Sequence, residues 1–123
     1  MWNMPTKEEM AKLPAFYSSE EVHLKKKMIH MHFFIGGCDW YACEYSPEEK
    51  CFFGFAILNN DLEMAEWGYF SLEELSSLKV SFVEVDRDLH WNPCKASEVK
   101  KIREAQRWGE EVKNDRGCEV ASG

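Results

Sequence analysis

Basic residues are scarce in the middle of this chain. Between positions 28 and 92 only Lys50, Lys79 and Arg87 stand against twelve acidic residues, a net of −9. The flanks are near balance. Residues 1–27 hold five lysines and four glutamates, and residues 93–123 hold seven lysines and arginines against six acids, so each flank adds +1 toward the chain's −7. A surface this poor in cations repels nucleic acid and anionic membrane and attracts basic proteins. Long apolar runs are missing too, and no segment nears the ~20 residues that cross a bilayer. The start, Met1-Trp2-Asn3-Met4-Pro5-Thr6, has neither the basic opening nor the apolar centre of a signal peptide. The cysteines Cys38, Cys43, Cys51, Cys94 and Cys118 are odd in number and form no CxxC pair. Together these absences lead to the expectation of a cytoplasmic protein with reduced thiols, free of membrane and disulfide framework.

What is present suits one core: 45% apolar and 14% aromatic residues in 123 predict a single α+β domain over residues 1–116. Residues 117–123 read as a disordered tail, with Cys118 as its exposed thiol. Thr6 and Glu9 form a capping box that opens a short helix, ended by Leu13-Pro14. The run Lys25-Lys26-Lys27 reads as a solvated strand entry. Residues 28–35 alternate, with Ile29, Met31, Phe33 and Ile35 on one face and His30 and His32 on the other. Gly36-Gly37 predicts a hairpin turn into a strand at 39–45. The turn at Ser46-Pro47 leads to a strand at 50–58, Asn59-Asn60-Asp61 breaks it, and a fourth strand follows at 64–70.

Ser71 and Glu74 form a second capping box, with Phe70 stapled onto Leu75, and predict a helix to about Leu78. A fifth strand is expected at 80–85. Ser97 is expected to cap a closing helix over 97–113 through Val99, Ile102, Ala105, Trp108 and Val112, which Gly109 weakens. The expected fold is an antiparallel meander of four to five strands with two to three helices packed on one face.

Four constellations invite a functional reading. His30 and His32, at i and i+2 of a strand, would point the same way and could share a metal with Asp39, Cys43 or Glu44. No HExxH or HxxxH spacing backs them, and the polar face of a sheet explains them equally, so no metal or cofactor is expected. Asp86-Arg87-Asp88 with His90 could hold Mg²⁺ or assist phosphoryl chemistry, yet a partly buried Arg87 paired with a sheet carboxylate such as Glu44, as a structural clamp, is the preferred reading. The strand aromatics would suit single-stranded nucleic acid only with cations interleaved, and here acids stand between them. No nucleophile is paired with a base, which argues against an enzyme. The fourth is the acidic set: Asp61, Glu63, Glu66, Glu73, Glu74, Glu84, Asp86 and Asp88 crowd into 28 residues. They either solvate the surface or imitate the phosphates that a basic channel binds.

The runs Trp40-Tyr41-Ala42-Cys43-Glu44-Tyr45, Phe52-Phe53-Gly54-Phe55, Gly68-Tyr69-Phe70-Ser71-Leu72-Glu73-Glu74-Leu75 and Asp86-Arg87-Asp88-Leu89 with Pro93 resemble a bacterial domain-of-unknown-function family, number 2958. Its members are small proteins often carried on plasmids, conjugative elements and phages. The resemblance spans about residues 13–99, with Trp67 where a Leu and His90 where an aromatic residue is expected. It implies a fold and a mobile-element setting, but no site residues. The setting points to accessory roles: countering host defences such as restriction or CRISPR, or regulating transfer of the element. The functional expectation is therefore a non-catalytic acidic protein that inhibits a basic, nucleic-acid-binding host protein. Its contact would be the acidic set with Trp67 or Trp91 as aromatic anchor. The alternatives are a small metal-dependent enzyme using His30 and His32, or a small-ligand-binding domain.

Overall fold

Two of the helices begin where side-chain chemistry satisfies free backbone amides. In the computed structural model, which describes residues 2–17 and 22–108, the Glu9 amide donates to the Thr6 hydroxyl and the Thr6 amide to the Glu9 carboxylate. Helix α1 (Lys7–Met10) starts there. Ser71 and Glu74 repeat the exchange at the start of α2 (Leu72–Ser77). Phe70 and Leu75 flank that cap and are buried in one cluster, as the staple requires.

The strands β2 (Met31–Ile35), β3 (Cys38–Ser46), β4 (Cys51–Ile57) and β5 (Glu66–Ser71) form the expected antiparallel meander. Gly36 turns β2 into β3 with φ of +52°, and Asn59 and Asn60 take φ of +55° and +57° after β4. A bulge at Cys43 shifts the register, so that Ala42 faces Gly54 but Glu44 faces Phe53. The bulge keeps Tyr41 and Cys43 on one face and returns Tyr45 to the other, beside Phe52.

The chain departs from expectation at four places. The first strand breaks at His30. Met28–Ile29, β1, leaves the sheet to pair with Cys94–Lys95, so Ile29 joins the opposite cluster from Met31, Phe33 and Ile35. The expected strand at 80–85 is instead a small hairpin of β6 (Lys79–Val80) and β7 (Val83–Glu84), turned through Ser81 at φ +57°. The fifth strand of the sheet is β8 (Asp86–Arg87), which pairs with β2 and gives the order β5-β4-β3-β2-β8. Cys94–Lys95 is β9. Ser97 lies inside a 3-10 turn (Ala96–Glu98) rather than capping a helix. Helix α3 (Lys100–Gln106) follows without a side-chain cap and stops at Arg107, in the left-handed region. Gly109, Val112, the rest of the expected helix and Cys118 lie outside the described residues.

The helices also divide between the two faces instead of sharing one. Met10 and Leu13 near α1, and Leu72 and Leu75 of α2, pack with Phe33, Trp40 and Phe52. Ile102 of α3, with Val99 and Trp108, packs with Tyr41, Phe55 and Ile57. The sheet centre is apolar on both sides, so each face needs a cover. The result is an α+β fold buried along nearly the whole of β3.

Candidate functional site

Asp39 stands opposite Phe34 of β2 and Ile57 of β4. It is only 4% exposed, so its charge needs partners. One oxygen accepts from His32 Nε2 at 2.7 Å, and the other accepts from Lys101 Nζ of α3 at 2.8 Å. His32 lies flat on Tyr41, with centroids 4.5 Å and planes 6° apart, and its ring centroid is 5.3 Å from that of Trp91. Trp91 Nε1 donates to the Ile29 carbonyl. Burial by itself would raise the Asp39 pKa, but the hydrogen bonds from His32 and Lys101 outweigh it and hold the carboxyl below its usual value. Burial, and then the Asp39 charge, push the Tyr41 hydroxyl up.

This trio opens on a groove of about 570 Å³ that brings Asp86, Asp88 and His90 to His32, Asp39 and Lys101. An imidazole oriented by a carboxylate is the arrangement that holds a general base. The Asp39–Lys101 ion pair also ties α3 to the sheet.

On the opposite face Arg87, in register with Phe33, turns toward α1, and its Nη1 lies 3.2 Å from Glu9 Oε1. The expected Arg87–Glu44 pair does not form because the two side chains lie on opposite faces. Glu44 instead lies 4.0 Å from Lys27 and accepts from the Tyr17 amide. Beside it the Cys43 thiol is pushed up to about 12 by burial.

The break at His30 also decides the histidine pair. His30 lines a cavity with Lys12, Arg87 and Trp91, while His32 lines the groove with Asp39. The shared-face geometry is lost, and among the described residues no three His, Cys, Asp or Glu side chains group as metal ligands.

Strand order divides the acidic set. Glu66 on β5 and Arg87 on β8 end a single row, Glu66-Ala56-Trp40-Phe33-Arg87. Four strand spacings set them about 19 Å apart. Asp61 accepts from the Glu63 and Met64 amides in the β4–β5 connection, on the Glu66 side. Glu84 accepts from the Trp2 amide, Asp86 from Asn3 Nδ2 and the Arg87 amide, and Asp88 from the His90 amide. Hydrogen bonds from Asn3 and from the Arg87 amide lower the Asp86 pKa. Glu73 and Glu74 are exposed in the first turn of α2. Trp67 and Trp91 are half-buried. Trp67 Nε1 donates to Gln106 of α3, so each indole braces the fold.

Two features escape the sequence reading. Lys101 carries no sign of its reach to Asp39, 62 residues away. Phe82, at the turn of the 79–84 hairpin, is wholly exposed, although residues 80–85 read as a fifth strand.

Comparison with curated proteins and with solved structures finds no match. The model of the family described as "Protein of unknown function (DUF2958)" matches residues 6–110. That match runs from the first capping box past α3 and takes in both faces of the sheet, so the chain belongs to the DUF2958 family.

Proposed function

We propose that this chain is a non-catalytic interaction protein that docks on a basic protein through the 79–84 hairpin. The observation that carries the reading is Phe82, 100% exposed between Val80 and Val83, which are themselves more than half exposed. Burying a phenylalanine against a partner is worth up to about 3 kcal/mol. Acids flank the tip along the chain, with Glu73 and Glu74 in α2 before it and Glu84, Asp86 and Asp88 after it. An apolar centre within a charged rim is the usual anatomy of a contact whose energy sits in one anchor.

The net charge of −7 would speed encounter with a cationic surface. The partner class with the most concentrated cationic surface is a nucleic-acid-binding protein, and the mobile-element setting directs the search to nucleases of host defence. Glu84, Asp86 and Asp88 adjoin the hairpin on the β8 side, while Glu66 and Trp67 sit on the far edge strand and contribute only to the long-range field. Phe82 replaces Trp67 and Trp91 as anchor.

Immobilised protein should retain a nucleic-acid-binding protein from bacterial lysate at low salt and release it at high salt, and Phe82→Asp should retain far less. Phe82 touches no core residue, so the variant keeps its fold. Equal retention by both proteins, or none by either, refutes the reading.

A further inference from the structure

Arg87 is a largely buried cation whose Nε donor is unused. Its side chain is 13% exposed and Nη1 is taken by Glu9, but Nε is buried and without a partner among the described residues. A buried donor left unpaired is unfavourable, because it gives up its hydrogen bond to water and gains none in return. Beside it lies a cavity of about 210 Å³, room for about seven waters at ~30 Å³ each. Lys12 and His30 line the same space, and Leu13, Met31 and Trp91 make its apolar wall.

We propose that this cavity binds the carboxylate of a small organic acid. Nε is closed off from the cavity while Arg87 holds Glu9; rotation of the guanidinium away from Glu9 turns its fork, two parallel N–H donors that match a carboxylate, into it. Glu9 is 42% exposed on its side chain and can yield to a better-placed anion. Lys12 adds a second cation, and His30 adds a neutral donor, since burial lowers its pKa. With Glu9 displaced, Arg87 and Lys12 against Asp88 leave one positive charge at the cavity, which suits a carboxylate and opposes a phosphate dianion. The apolar wall selects an acid with a hydrophobic body.

Benzoate, with benzamide as its neutral match, is the probe. In full-length protein followed by NMR, benzoate should move the His30 ring and Trp91 indole signals saturably, and benzamide should bind about tenfold more weakly. Arg87→Lys, which keeps the charge and loses the fork, should weaken benzoate about tenfold. Lys12→Ala, at an exposed position, should weaken it several-fold and serves if Arg87→Lys fails to fold. Three results overturn the proposal: equal binding of the two probes, no saturation of benzoate by about 10 mM, or affinity unchanged in the folded variants. This site is independent of the hairpin, and Phe82→Asp should leave benzoate binding as it is.

Discussion

Gly54 sits where β4 passes the bulge in β3, and a Cβ there would lie 1.9 Å from the Tyr41 carbonyl oxygen. The obstacle is backbone, so Gly54→Ala must part the two central strands. It should cost about 3 kcal/mol or more, read as a lower urea midpoint at unchanged slope. Gly68→Ala, with nothing within 4 Å, should stay within about 0.5 kcal/mol. Asp39 makes a different prediction. Its carboxyl titrates below the usual value in the fold, so the stability it contributes is complete above the unfolded pKa and is lost as pH falls through the lower folded one. Stability measured from pH 6 down to pH 2 should therefore fall less steeply below about pH 4 in Asp39→Asn than in wild type. Cys43, with its thiol raised to about 12, should resist alkylation until the protein unfolds, after the half-buried Cys38, Cys51 and Cys94 have reacted. From sequence, a free cysteine in a strand reads as a small apolar residue, and that reading suits Cys43. Nothing local distinguishes Gly54 from Gly68, because the difference lies in a carbonyl from another strand.

Among the elements, α2 and α3 hold by different means. Helix α2 is begun by its own Ser71–Glu74 exchange, so Ser71→Ala should cost about 1 kcal/mol and lower the melting temperature accordingly. Helix α3 has no side-chain cap and spans seven residues, too short to stand without packing. Its hold is Ile102 in the core, the reach of Lys101 to Asp39 and the bond from Trp67 to Gln106. Lys101→Ala should speed amide exchange in α3 while β3 and β4 stay protected. This contrast also marks what could be read from the sequence. Capping boxes and the Gly36-Gly37 turn are settled within four residues, and the structure has them where the residues put them. The break at His30 depends on β9, more than 60 residues later, and the edge role of Asp86–Arg87 depends on β2. No periodicity within 28–35 or 80–87 carries either fact. The division of the acidic set is hidden for the same reason, since a run of acids says nothing about strand order.

At the scale of the molecule, the sheet interior is laid down early and covered late. Strands β2 to β5 come from one unbroken stretch, residues 31–71, whereas the cover over Tyr41, Cys43, Phe55 and Ile57 comes from Ala96, Val99, Ile102 and Trp108. Residue 71 leaves the ribosome ahead of residue 108 by the time needed to add the stretch between them, roughly 2–7 s at ~5–20 residues per second. During that interval an aromatic, β-rich face has no lid. A chain ended at residue 85 should bind the dye ANS strongly, whereas the full chain should not. Nascent chains of this protein should therefore be more prone to aggregate than the finished fold, whose covered sheet conceals that hazard.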